Sequence, residues 1–426
     1  MTPNFQLRHG HLLKKSNSYS KDVAQSRGED ITHWLVVLLV WGAGLGAAAQ
    51  FGKIAVTIDV FREIYPVGEV ALGFLISCVG FVGLVFGVVG GIFSPRLGIK
   101  RMFILGIFSA AVLSALQSFS MPFFLLIILR IFEGASHLFI VVAGPILMAR
   151  HSSLRARSGI MTLWSSFFGL SYMIVALIAP WIIARAGLQG LLLSHAFYML
   201  IIGLCLSKSL KSGAAQKKNK DEHDSFDFAN LLKLHVKIYQ SPWLSAAALG
   251  FVFYTGLYIA LLTYLPEFVA PEWRTGLSAS LPFASIVVSL TFGVVLLGFV
   301  SAVQAVVIGY ILIAISAFPL LLVVGNDPLF VALSIVLIGS TGIVPGASFA
   351  ALAELNQSDQ DRAYATGAIA QLGNVGTSCG PPLLAAIIAV SGVLGTVGFI
   401  ILFCFFGILV HLLLARRRSK YLASID

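Results

Sequence analysis

Charge is what this sequence has least of. Of its 426 residues only 11% are charged, against 58% hydrophobic, and the mean hydropathy is +0.94. A soluble domain carries roughly 25% charged residues, so the composition excludes a soluble globular chain and implies an integral membrane protein. Cysteine is also scarce. Cys78, Cys205, Cys379 and Cys404 all fall in apolar stretches with no metal-ligand spacing or disulfide framework, and neither a metal nor another cofactor is expected. No Walker-type phosphate loop is present, which argues against ATP as an energy source. No nucleophile–base pairing stands out, so an enzyme is not expected. No cleavable apolar core precedes the first long apolar run; residues 1–31 read as a disordered cytoplasmic tail rather than a signal peptide.

What is there is a series of long apolar runs. A spanning helix needs about 20 mainly apolar residues. Twelve such spans are predicted: 33–58, 70–93, 101–119, 122–149, 159–184, 188–207, 243–265, 279–299, 303–324, 328–353, 364–390 and 393–415. The eighth and ninth divide a stretch without charge between Arg274 and Asp327, and Ser301 to Gln304 is the only plausible turn there. The fold class implied is all-α integral membrane.

Basic residues set the direction. With the N-terminus inside, the outer loops hold only Arg62, Arg185 and Arg274. Lys53 and Arg130 lie within spans, and all the other lysines and arginines fall on the cytoplasmic side. Both termini are therefore expected in the cytoplasm, with the chain in the cytoplasmic (inner) membrane. The net charge of +10 follows from this bias, and nucleic acid is not an expected partner. The longest polar stretch, within 208–242, divides the spans six and six, and its end, Phe228 to Lys233, suits a short interfacial helix. The chain then reads as a tail (1–31), a bundle (32–207), a linker (208–242), a second bundle (243–415) and a tail (416–426). Pro145 in span four and Pro345 in span ten hint that the halves are related, as do the glycines and prolines of spans five and eleven. Two pseudo-symmetric six-helix bundles would bind substrate between them.

The loop after span two reads Gly91-Ile92-Phe93-Ser94-Pro95-Arg96-Leu97-Gly98-Ile99-Lys100-Arg101, and span four contains Leu129-Arg130-Ile131-Phe132-Glu133-Gly134. Both resemble motifs of the major facilitator superfamily, and the likeness extends over nearly the whole chain. In the loop Gly91, Arg96, Gly98, Lys100 and Arg101 match, and the resemblance implies a gating role for them. Pro95 stands where the family usually has aspartate, which puts the family's cytoplasmic clamp in doubt. The same five residues also fit a simpler role, with the basic ones enforcing orientation. In span four the resemblance implies a part for Arg130 in proton transfer. Span five has Ala179-Pro180 where the family's antiporters have Gly-Pro. Arg130 to His137, Trp164 to Gly169 and Gln371 to Pro382 are similar to the cyanate-type branch.

Arg130, Glu133 and His137 project onto an arc of roughly 60° at the helical rotation of about 100° per residue. Three ionisable groups on one face of a membrane helix point to protein or water rather than lipid. Two readings fit: a self-satisfied Arg130–Glu133 pair buried against a neighbour, or a cavity site with a proton-accepting carboxylate. In span one, Gly42, Gly46, Gln50 and Lys53 share an arc of roughly 80°. The glycines permit either close helix approach or open space. Lys53 either snorkels to the interface or meets a substrate; it has no charged partner at helical spacing on its own face. Lys53 and Arg130 lie at like depth, roughly 10 and 12 Å in, at 1.5 Å per residue. The resemblance places spans one, four, seven and ten around one cavity. There Gln50, Lys53 and Arg130 would bind an anion, with Tyr254 and Tyr258 of span seven and Asn374 of span eleven opposite. Arg130, Glu133 and His137 would couple it to protons.

The expectation is a monomeric secondary transporter of a small anionic solute, in the lipid bilayer, taking it up with protons. An exporter of lipophilic compounds or metal chelates, and a receptor or assembly subunit of transporter ancestry, are the alternatives.

Overall fold

The computed structural model describes residues 31–85, 98–153, 156, 160, 161, 163, 164, 166–210, 228–356 and 358–423. Among these residues there are helices and no strands. The first part comprises α1 (Trp34–Ala55), α2 (Ile58–Ile64), α3 (Glu69–Ser77), α4 (Ile99–Gln117), α5 (Phe123–Arg150) and α6 (Phe167–Ser209). After α7 (Phe228–Gln240) come α8 (Ala246–Tyr264), α9 (Pro271–Val288), α10 (Val294–Leu297), α11 (Ala302–Ala317), α12 (Asp327–Thr341), α13 (Ile343–Leu355) and α14 (Asp359–Leu422). Nine described helices are long and apolar enough to cross a membrane.

Two helices, α6 and α14, are far longer than a bilayer requires, and each is broken once. Gly187 (φ 65) interrupts α6 and Gly392 (φ 52) interrupts α14. A residue with a Cβ is strained by about 1–3 kcal/mol at such positive φ with extended ψ, which is why glycine stands at both breaks. Each of α6 and α14 is thus two helices that meet at a glycine kink, at the boundary between spans five and six and at that between spans eleven and twelve. Several predicted boundaries shift. Span one ends at Ala55, and a turn at Val56–Thr57 leads into the short α2. Span ten is two helices, α12 and α13, meeting at Gly342. The turn at Ser301 is present and is a full capping box: Ser301 Oγ accepts from Gln304 N while the Gln304 side chain accepts from Ser301 N. The interfacial helix α7 runs on to Gln240. The predicted C-terminal tail continues α14 as helix to Leu422. The predicted N-terminal tail up to residue 30 and linker residues 211–227 lie outside the described residues.

Within the first part α1 packs on α5 and α6, and α4 on both of those helices; in the second, α8 packs on α14 and α9 on α12. The parts meet where α3 lies along α14 and α6 along α9. Helix α5 turns one stripe inward. On α5, Arg130, Glu133 and Leu147 are buried while Phe124 (66%) and Phe132 (61%) are exposed on the other side, as expected of a helix with one face in lipid.

Close backbone approach fixes α5 against the segment after α3. A Cβ on Gly134 would stand 2.2 Å from Val79 O, itself backbone. Gly134→Ala is therefore expected to destabilise the fold by about 1–3 kcal/mol, the usual cost of overpacking. Gly276 in α9 has nothing within 4 Å of that position, and Gly276→Ala is expected to be neutral or to raise stability by about 0.5–1 kcal/mol. Thermal unfolding of the two variants in detergent checks the contrast.

Candidate functional site: a buried lysine–glutamate–arginine cluster

The inward stripes of α1, α4, α5 and the second arm of α6 converge on Glu133. Its Oε1 accepts from Lys53 Nζ at 2.7 Å. Its Oε2 accepts from Arg130 Nη1 at 2.6 Å and from Gln117 Nε2 at 2.9 Å. Lys53, Arg130 and Glu133 are at most 1% exposed. Two cations and one carboxylate leave the cluster one positive charge in excess. Burying an ion is costly unless its remaining donors and acceptors are met, and here they largely are.

Arg130 owes its place to a helix end. The short α3 stops at Ser77, so its last carbonyls have no partner within the helix. Arg130 Nε donates to Leu75 O (3.2 Å) and Nη2 to Ile76 O (3.1 Å). The negative end of the α3 dipole then faces the guanidinium. Nη1 also donates to Gln50 O at 2.6 Å, which ties α1 to the same group.

Lys53 is held differently. Besides Glu133 it donates to Ser114 Oγ (2.9 Å), which contacts Leu192 O (2.9 Å) and His195 Nδ1 (3.0 Å). His195 Nε2 lies 2.9 Å from Gly46 O. A carbonyl only accepts, so Nε2 carries a proton and donates to Gly46 O. Ser114 gives its single hydroxyl proton to Leu192 O, so the chain Lys53 to Ser114 to Leu192 donates in one direction, its dipoles pointing away from the ammonium and supporting its charge, while His195 donates separately to Gly46 O. Reasoning from spacing missed His195, Ser114 and Gln117. A histidine inside an apolar run and a Ser–Gln pair three residues apart were the signals available.

The glycine face of α1 makes close contacts rather than open space. A Cβ on Gly46 would meet Met199 Sδ at 2.1 Å, and Tyr198 Oη donates to Gly42 O. Gln50 Nε2 donates to Ser136 Oγ at 3.0 Å, and its buried Oε1 has no hydrogen-bond partner. His137 Nδ1 lies 3.1 Å from Ala47 O, and its ring meets Phe51 edge-on. Gln50, Lys53, Arg130, Glu133 and His137 are thus brought together. Tyr254 and Tyr258 stack on each other at 5.4 Å, both buried. Asn374 packs against the segment after α3, its amide beside the Cβ position of Gly83, and its Nδ2 donates to Ala370 O. Among the described residues, Asn374 makes no hydrogen bond to the cluster. Of the loop residues, Gly91 and Arg96 lie outside the described residues. Gly98 (φ 80) precedes α4, Lys100 Nζ donates to Leu210 O, and Arg101 is exposed.

A second ionic group joins the two parts of the chain. Arg62 on α2 contacts Asp59 (2.5 Å), Glu69 (2.7 Å) and Glu267 (3.1 Å), while Arg274 reaches Asp59 at 2.7 Å. Hydrogen bonds to Glu69 push the Arg62 guanidinium above its already high range, so no ordinary rise in pH opens this latch. Its side chains are 24–44% exposed, where each pair contributes only about 0–1 kcal/mol and is screened by salt.

The family model for the Major Facilitator Superfamily matches residues 37–303, which is more than half of the chain and reaches from α1 to the start of α11. The chain belongs to the major facilitator superfamily. Members of this superfamily are membrane transporters of small solutes rather than enzymes, and this multi-pass, all-helical superfamily member is a membrane transporter. No curated protein matches it.

Charge bookkeeping predicts an order of damage in the cluster. Glu133→Gln leaves two buried cations without a counterion and is expected to cost about 3–5 kcal/mol or more. Lys53→Met leaves the Arg130–Glu133 pair, net neutral, and is expected to cost clearly less. Thermal unfolding in detergent measures both; equal losses would contradict the assignment of the excess charge.

Proposed function

We propose that this superfamily member is a secondary transporter that takes up a small anion together with a proton, by alternating access. The observation that carries this reading is the excess positive charge of the Lys53–Glu133–Arg130 cluster. A buried site with net positive charge favours an anion, and low dielectric strengthens the preference. Arg130 is committed to the end of α3, and Lys53 has the fewer fixed partners. In this reading Lys53 is the group that turns to the anion, and Gln50, with its unmatched oxygen, lies beside it. An anion on Lys53 releases Glu133, which then takes a proton, with His137 near by on the same face. Tyr254, Tyr258 and Asn374 complete the binding site from the second part when the halves close. The likeness of Arg130–His137 to the cyanate-type branch fits an anionic cargo.

The same proposal includes the topology. Counting both arms of α6 and α14 and the span that begins with α3, the chain has twelve spans in two six-helix bundles. Basic residues put both termini and α7 in the cytoplasm of a cell with an inner membrane. The Arg62–Glu267 and Asp59–Arg274 contacts then close the outer end and must part for the anion to enter. The protein works as a monomer in the bilayer.

One proton entering with one monovalent anion moves no net charge. Uptake into proteoliposomes is therefore expected to follow an imposed pH gradient and to ignore an imposed potassium–valinomycin potential. A panel of small monovalent anions (carboxylates, nitrate, cyanate), read by internal pH, supplies the assay. Lys53→Met and Glu133→Gln are expected to abolish pH-driven uptake; wild-type rates in both would overturn the proposal, and so would uptake driven by voltage alone.

A further inference from the structure

The helix α7 and the end of α14 build a site that transport does not use. Ile238 is fully buried among Ala247, Ala248 and Leu352, and Tyr239 Oη donates to Gln371 Oε1 at 2.8 Å, so one face of α7 is docked on the helices below. The opposite face carries Lys233 and Lys237, one turn apart and both exposed. They line an open groove of about 610 Å³ whose lining also includes Trp243 and Tyr421. These two rings meet edge-on at 5.2 Å. Arg418 Nη1 donates to Pro242 O at 2.8 Å and pins the end of α14 beside the groove. Among the described residues no acidic side chain lines it, and Arg416, Arg417 and Lys420 on the same turns of α14 are exposed.

The groove sits where the apolar helices end. Helix α8 begins at Ala246, three residues after Trp243, and the charges of α14 begin at Arg416 after a long apolar run. A Trp–Tyr pair at this level is the signature of the headgroup layer. Basic clusters just outside a spanning helix attract anionic lipid there. We propose that this groove binds the headgroup of an anionic glycerophospholipid, with the phosphate between Lys233 and Lys237 and the upper acyl chain along Trp243 and Tyr421. A free phosphate would use the lysines but would gain nothing from the aromatic pair. Because α7 leads directly into α8, a lipid held here fastens the segment between the two parts of the transporter to the membrane surface.

Tryptophan quenching tests this in liposomes containing the full chain. The signal of Trp243 is isolated by subtracting that of the Trp243→Phe variant. Brominated phosphatidylglycerol is expected to quench it at a lower mole fraction than brominated phosphatidylcholine. Lys233→Gln and Lys237→Gln are each expected to weaken that preference about fivefold, and the double variant about thirtyfold, from the attraction of about 1 kcal/mol per basic residue near an anionic surface. Equal quenching by the two lipids would overturn the proposal, as would a preference that survives in the double variant. Loss of the preference on adding inorganic phosphate, at ionic strength matched with chloride, would make the ligand a free anion and overturn it too. None of these readouts depends on what is transported.

Discussion

Glu133 is the residue on which the first part of this transporter depends. Its two carboxylate oxygens hold a lysine from α1, an arginine from its own helix and an amide from α4. Without that carboxylate, two buried cations would face one another across a low-dielectric interior, where like charges repel strongly. With it, the surplus is a single charge, spread over the end of α3 and the polar chain through Ser114. One side chain thereby sets the relative position of several helices that otherwise meet through apolar contacts, which are non-directional.

The two ionic groups of the molecule differ in kind. The inner cluster is buried, has most of its hydrogen bonds satisfied, and breaks only at a cost of several kcal/mol. The Arg62 latch is half-exposed, made of several weak and screenable contacts, and crosses between the two parts. One group holds a single part together, and the other lies at the seam between the two parts. The glycines of α1 belong with the inner cluster, since Gly42 and Gly46 seat the second arm of α6 against α1 and so bring His195 up to Ser114.

The membrane character, most helix positions and the polar faces of α1 and α5 were legible in the amino-acid sequence. Hydrophobic runs of bilayer length and the 3.6-residue period are local properties, and they need no knowledge of neighbours. For the same reason Lys53, Gln50, Arg130, Glu133 and His137 could be picked out as candidates one helix at a time. What only the tertiary structure decided is who meets whom. Lys53 finds its carboxylate 80 residues away on α5, Arg130 caps a helix end 55 residues earlier, and His195 reaches Ser114 and Gly46 across three helices. Helical spacing reports the direction of a side chain and is silent on what stands opposite. The partners, and with them the net charge of the site, follow from how the helices pack.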